Sequence, residues 1–418
     1  MSASFARGAC PSLQAPMQTG DGLLARILPA GPMKLKALAG LCASARVHGN
    51  GTMEISARGS IQVRGLTPAS APPFATAVSA LGIEISEGVP VIASPLGDEP
   101  SAVVDAGKLA RELRQAIAAA GLALAPKVSV IVDGGGRLHL DTLNSDIRVR
   151  ALATADGPLL HVALAGDGAT ASALGAVVRD EVCDAVLRLL ALIAAHGPEA
   201  RAAGVLRRLG MAAFQAAIGS HIVSGLHPPP RLPAEMVGTH CLKDDHYALG
   251  IGFALGHTEA DTLRALADIA RAHGGSWALP APDRTLLLGP FKRTTVKTIR
   301  DEARRQGFAV DATDPRRRVV ACPGAPACAS GLIASREIAA DLARDLPLSG
   351  DGIALHVSGC AKGCAHPTPT PLTIVGTARG AGIVCCGTAR ATPSAYADAA
   401  DLAEEIDRII ETREAVDA

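Results

Sequence analysis

Four cysteines toward the C-terminal end are the residues whose type and spacing speak most directly of chemistry. Cys322 and Cys328 enclose five residues, and Cys360 and Cys364 enclose three. Four thiolates are soft donors that suit either a tetrahedral zinc ion or an iron–sulfur cube. Zinc knuckles are built on tight turns, whereas Pro323, Gly324, Pro326, Gly359 and Gly363 make wide turns with little side-chain bulk. Turns of that kind can wrap a cluster and leave backbone amides near Lys362 and Gly363 free to hydrogen-bond its sulfurs. The expected occupant is therefore a cluster held by Cys322, Cys328, Cys360 and Cys364.

A chain of 418 residues with 48% hydrophobic composition can bury several cores and present such a site between them. Lysine plus arginine equals aspartate plus glutamate at 40 each, so nothing draws the whole chain to nucleic acid or to an anionic membrane. Aromatics at 2% are too few for base-stacking platforms. The first thirty residues show no export signal, and the apolar run Val182 to Ala195 carries Asp184 and Arg188, which reads as a buried helix. A cytoplasmic protein is expected, with its ten cysteines kept as thiols or ligands.

The positioning elements repeat. Leu24 to Leu28 reads as a strand, Leu35, Leu38 and Leu41 recur at helical spacing, and Thr52 to Ser56 and Ser60 to Arg64 alternate like strands. Gly31, Leu38, Leu41, Ala45, Arg46, His48 and Gly49 recur as Gly256, Leu263, Leu266, Ala270, Arg271, His273 and Gly274 without a gap. In the second copy, Arg26, Arg58 and Gln62 are expected opposite Ile251, Pro282 and Leu286. A fainter repeat sets Lys108 to Gly134 against Ile338 to Gly359, with Val130-Ile131-Val132 matching Leu355-His356-Val357 in pattern. The reading is an α/β (α+β) pseudo-twofold. A half-domain spans 1–85, and a strand-rich lobe ending near 165 with a helical connection fills 86–235. A second half-domain spans 236–312, and the cluster lobe 313–418. The proline-rich stretch His227 to Pro233 reads as a linker.

The run Gly359-Cys-Ala-Lys-Gly-Cys-Ala-His-Pro367 resembles the signature of the sulfite and nitrite reductases, a superfamily of duplicated ferredoxin-like half-domains with mixed sheets. The resemblance implies a [4Fe-4S] cluster on the four cysteines. In the reductases the residue at the position of Cys364 also bridges to sirohaem iron. Two departures set this chain apart. Pro126-Lys127-Val128-Ser129, read as the strand before the first glycine turn, has Ser129 where a second lysine stands, and Ser56 to Gln62 keeps Arg58 and Gln62 but places Gly59 beside the arginine, which suggests opened space. With Arg7-Gly-Ala-Cys-Pro11, Met17 to Gly22 and His48-Gly-Asn-Gly51, the whole chain is most similar to the precorrin-3B synthase family of aerobic cobalamin biosynthesis.

That resemblance implies an oxidoreductase, a monooxygenase that takes precorrin-3A, O2 and NADH, hydroxylates C20 and closes a γ-lactone. It also implies a mononuclear non-haem iron, whose ligands the residues do not identify. Arg7, Arg26, Arg58, Gln62, Arg64 and Lys127 are the expected substrate-binding groups, since guanidinium forks suit the carboxylates of a tetrapyrrole. Cys364 is expected to serve the cluster alone. A sirohaem-dependent sulfite or nitrite reductase and a non-catalytic iron–sulfur electron-transfer protein are the alternatives. Ser129 weighs against the first and the retained arginines against the second.

Asp133-Gly-Gly-Gly136 precedes strand-like residues, not a helix, so it is no dinucleotide fingerprint, and NADH electrons are expected through a separate reductase. His139 and Asp141 are expected on one face of a strand spanning 137–141. His48 and His273 are expected to close helices, His366 to lie beside the cluster, and Cys385 and Cys386 to pack in a buried strand.

Overall fold

The computed structural model describes residues 11–219, 222–223, 225–226, 228–346 and 352–417. The first unit runs β1 (Met17–Thr19), β2 (Gly22–Ile27), β3 (Met33–Lys34), α1 (Leu35–His48), β4 (Thr52–Ile55), β5 (Ile61–Leu66) and α2 (Ala71–Ser79). Leu35, Leu38, Leu41, Cys42 and Ala45 form the buried side of α1, the stripe that lets a helix lie on a sheet.

A lobe follows: β6 (Val91–Ala93), α3 (Ala106–Ala120), β7 (Val130–Asp133), β8 (Ser145–Thr154), β9 (Gly157–Gly166) and β10 (Ser172–Val178). Its strands therefore continue past residue 165. Then come α4 (Val182–Ala194), α5 (Ala202–Leu209) and α6 (Met211–Ile218). Val182, Val186, Leu189, Leu190 and Ile193 of α4 have no exposed surface, and burying each side chain contributes roughly 1.5–3 kcal/mol. This is a core helix, and among the described residues no helix is long and apolar enough to cross a membrane.

The second unit comprises β11 (Gly238–Cys241), β12 (His246–Gly252), β13 (His257–Glu259), α7 (Ala260–Ala272), β14 (Trp277–Ala281), β15 (Thr285–Lys292) and α8 (Arg293–Arg305). Its lobe holds β16 (Val319–Ala321), α9 (Ser335–Asp345), β17 (Leu355–Ser358), β18 (Thr370–Thr377), β19 (Gly380–Gly387), β20 (Ala395–Ala397) and α10 (Leu402–Asp417).

The two units interlock. One sheet is ordered β1-β2-β5-β4-β13 and the other β11-β12-β15-β14-β3, so each takes a short edge strand from the opposite unit. Helices α1 and α7 pack together over a shared core that includes Leu38, Leu41, Leu263, Leu266 and Phe291. The lobes repeat the same order, β6-β7-β8-β9-β10 and β16-β17-β18-β19-β20, with two parallel pairings followed by two antiparallel ones. Val91, Val130 and Ile147 share a register, as do Val319, Leu355 and Leu372. Ile131 and His356 are thus symmetry mates, as the sequence pattern implied.

The strand equivalences read from sequence are one residue out. Both β2 and β12 are bulged, between Leu23 and Ala25 and between Tyr247 and Leu249. Superposing the bulges pairs Arg26 with Gly250, not Ile251, and Gln62 with Leu287, not Leu286. The hairpin turns then set Arg58 against Asp283, not Pro282, and Gly59 against Arg284. A one-residue slip moves every side chain to the other face, and this register makes Ile27 and Ile251, both in the core, each other's counterparts.

Three local expectations also change. Lys127 lies in a turn, with the strand starting at Val130, and residues 137–141 form no strand. On β19, half-buried Cys385 pairs with Leu372, and Cys386, between that pair and the Thr370–Gly387 pair, is exposed and holds φ 51°. That is irregular strand, not buried packing. The segment 228–233 has no regular structure, as a linker should; His227 lies outside the described residues.

Candidate active site

Cys322 follows the end of β16 and Cys360 follows the end of β17, so two parallel strands deliver their loops to one place, the crevice position at strand carboxyl ends. All four sequence-predicted cysteines line one cavity of about 730 Å³. The Gly359 amide donates to Cys322 Sγ at 3.1 Å, and the buried Ser335 hydroxyl lies 3.8 Å from the same sulfur. Burial pushes the Cys364 thiol up, reinforced by Cys322, Cys360 and Cys328, while Arg64 pulls it down. Among the described residues, no three His, Cys, Asp or Glu side chains gather as ligands of one ion.

The opposite wall is a polar row on the first sheet. Arg26 pairs in register with Gln62, and Gln62 with Glu54, so the three side chains stand abreast on one face. All three line the cavity. Arg26 Nε is buried without a hydrogen-bond partner. Arg284, from the β14–β15 turn, also lines the cavity. Burial holds its basicity down, with Asp283 and Glu54 opposing, and no hydrogen bond engages its guanidinium among the described residues. Sequence reasoning missed Arg284; the available signal was an arginine at the turn position that the first unit fills with glycine.

The other expected clamps are placed differently. The buried Arg64 lines the cavity, but its fork is taken by Asp21 at 2.7 Å on two atoms and by Glu54 at 3.2 Å. Arg58 donates to the Asn144 carbonyl and to Ser129 Oγ and lines a second cavity. The serine that replaces a lysine is thus a partner of Arg58. Lys127 is exposed and lines neither cavity, and Arg7 lies outside the described residues. The expected space beside Gly59 is filled: a Cβ there would come within 2.9 Å of the Ala281 carbonyl carbon, and the Asp283 amide donates to Ala57 O. At φ 80° the position needs glycine for both conformation and clearance.

Burial pushes the Asp21 carboxyl up, but Arg64 and Thr19 more than offset this and hold it below the usual carboxylate range. A depressed carboxylate stabilises the fold above its unfolded pKa, and that stability is lost as pH falls through the folded value. Asp21→Asn is expected to destabilise the protein by about 3 kcal/mol, since it leaves a buried guanidinium short of a partner. Urea unfolding of the variant should show the loss at pH 7 and a smaller difference from the parent near pH 3.

His366, two residues after Cys364, does not line the cysteine cavity; its ring lies 6.0 Å from His356 and its Nε2 2.7 Å from Thr368 Oγ1. His356 has no exposed surface and no hydrogen-bond partner on either ring nitrogen. Burial, His366 and Arg284 push it down to about 4. His273 Nδ1 lies 3.0 Å from the Ile269 carbonyl at the end of α7, and His48 packs on Phe74. His139 lies 3.4 Å from Asp141, but it serves a network in which Arg231 joins Asp133 to Asp141 and His139 Nε2 lies 2.8 Å from the Leu232 carbonyl. That network fastens the linker.

Fold and cavity together define a nitrite/sulfite reductase-like protein. Residues 15–81 match the nitrite/sulfite reductase ferredoxin-like half domain, and the structure of the Mycobacterium tuberculosis NirA protein superposes with a TM-score of 0.72 at 18% identity, covering 93% of this chain and 80% of that one. A sulfite reductase [NADPH] hemoprotein beta-component from Chromohalobacter salexigens is 27% identical over 27% of this chain and 21% of its own length. A precorrin-3B synthase from Sinorhizobium sp. is 36% identical over 95% of this chain and 86% of its own. The chain belongs to the precorrin-3B synthase family.

Proposed function

We propose that the protein is a cytoplasmic monooxygenase that converts precorrin-3A to precorrin-3B. One atom of O2 enters the substrate as the C20 hydroxyl, with γ-lactone closure. The other leaves as water, with two electrons from NADH delivered through a separate reductase. Family membership supports an oxidoreductase of cobalamin biosynthesis. The observation that carries the finer reading is the cavity itself, with four thiols on one wall and, on others, the guanidinium groups of Arg26 and Arg284, which have no hydrogen-bond partner among the described residues.

The donor set fits a [4Fe-4S] cluster. Four soft thiolates face a common space without closing on one point, as a cube demands and a single zinc ion at about 2.3 Å from each sulfur does not. Cys322, Cys328, Cys360 and Cys364 would hold it, and when bound it supplies one-electron transfer. The described residues do not by themselves fit a mononuclear iron.

The chain's own groups act on the substrate. Arg26 and Arg284 take peripheral carboxylates in bidentate hydrogen bonds, and Gln62 orients the ring edge between them. Glu54, shared between Arg64 and Arg336, keeps the floor of the cavity rigid. Leu24, Ile55 and Leu255 line the same space and exclude water from the reacting edge. The Gly359 amide and Ser335 hydroxyl, aimed at Cys322, stabilise the reduced site by hydrogen bonding to its sulfur.

Incubating the anaerobically purified protein with precorrin-3A, then adding O2 and a reductant, should yield a product heavier by one oxygen. Unchanged precorrin-3A, or stoichiometric sirohaem in an acid–acetone extract, would overturn the assignment. Cys360→Ala is expected to abolish both the cluster's visible absorption and turnover, with the fold retained by circular dichroism.

A further inference from the structure

The twofold that repeats the fold also repeats the cavity. Ser94-Pro95 at the end of β6 corresponds to Cys322-Pro323, Ala30-Gly31 to Leu255-Gly256, and Ala281-Pro282 to Ser56-Ala57. The first member of each pair lines a second cavity of about 290 Å³, and the other lines the cysteine cavity. Even the amide contact is kept: Gly134 donates to Ser94 Oγ at 3.0 Å, where Gly359 donates to Cys322 Sγ.

The chemistry of this second cavity is not inherited. Its cluster ligand is replaced by serine, and Leu279 stands where the first sheet has Glu54, so the polar row is gone. Two charges have been added instead. Arg111 and Arg114 on α3 line the cavity at positions where α9 carries Ala340 and Ala343. Arg114 Nη2 donates to the Val91 carbonyl, whereas its Nε and Nη1 are buried without partners. The acidic groups do not account for them. Asp105 caps α3 by accepting from the Lys108 amide, and Glu84 acts on Arg114 only through its charge. Desolvated guanidinium N–H groups are costly unless an acceptor meets them. Arg58, Ser94, Asp98 and Asp105 also line the cavity, and the rest of its wall is mainly apolar, with Val91, Ile92, Leu279 and Trp277, the chain's only tryptophan.

We propose that this second cavity binds a small planar ring carrying a phosphate or carboxylate group, with the anion on Arg111 and Arg114 and the ring against Trp277. Guanidinium forks suit either anion, and an indole offers a stacking face. The volume lies near the lower end for small-molecule sites. The site is separate from the precorrin cavity and does not depend on that assignment.

Trp277 emission of the holoprotein reports on the cavity directly. Titration with AMP and with benzoate should give a saturable change for at least one, which distinguishes phosphate from carboxylate. Arg114→Met and the more exposed Arg111→Met should each weaken it about tenfold or more, as loss of a charged hydrogen bond implies. The cluster's visible spectrum should stay as in the parent. Three results would each overturn the proposal: no saturable response to either probe, equal affinity in both variants, or inorganic phosphate binding as tightly as AMP and benzoate.

Discussion

Gly20→Ala is expected to empty the cluster site while leaving the fold standing. A Cβ at Gly20 would lie 2.2 Å from Cys328 Sγ, far inside contact distance. The loop between β1 and β2 cannot easily retreat, because the Gly20 carbonyl accepts from the Ala329 amide at 2.9 Å and neighbouring Asp21 is locked to Arg64. The thiol is what must move. Displacing one ligand by about 1 Å is enough to cost two orders of magnitude in a positioned site, so iron and sulfide content and turnover should both collapse. Overpacking of this kind costs the fold only about 1–3 kcal/mol, so circular dichroism should stay near that of the parent. Full iron content in Gly20→Ala would show that the β1–β2 loop does not seat against Cys328.

Arg284→Gly should weaken substrate binding without loss of stability. Arg284 holds φ 56° in the turn position that glycine occupies in the first unit. Strain of this type is of order 1 kcal/mol or more and is retained at functional sites. Glycine relieves it, and the thermal midpoint should hold or rise. Affinity for the tetrapyrrole should fall about tenfold to a hundredfold, the loss of one charged hydrogen-bonding group. Arg26→Met should weaken binding by a similar factor, without any gain in stability, because Arg26 sits in ordinary strand conformation on β2. Substrate titration beside differential scanning calorimetry separates the two. Unchanged affinity in Arg284→Gly would remove it from the clamp.

The four cysteines, the helix and strand pattern and the duplication were legible from residue type and spacing. Glycine and proline loops signal cluster turns wherever they fold, and helical leucines repeat at one offset in both copies. Arg26 and Gln62 were also legible as candidate binding groups, Arg26 as an arginine on an apolar strand and Gln62 through its motif with Arg58, but their standing abreast was not. Their symmetry mates were not. The second connection from strand to helix is one residue longer, and that difference is invisible until bulges and buried faces are superposed.

Only the tertiary structure decided which arginines remain free to act. Sequence treats Arg26, Arg58 and Arg64 alike, yet Arg64 lies within reach of Asp21 and Glu54, and Arg58 turns to Asn144 and Ser129. A guanidinium's role depends on which carboxylates and carbonyls come within about 3 Å, and those partners lie 10 to 86 residues away in the chain. The same holds for Arg284 and for the second cavity, which exist as sites because the two interlocked units bring distant hairpins and helices to a common wall.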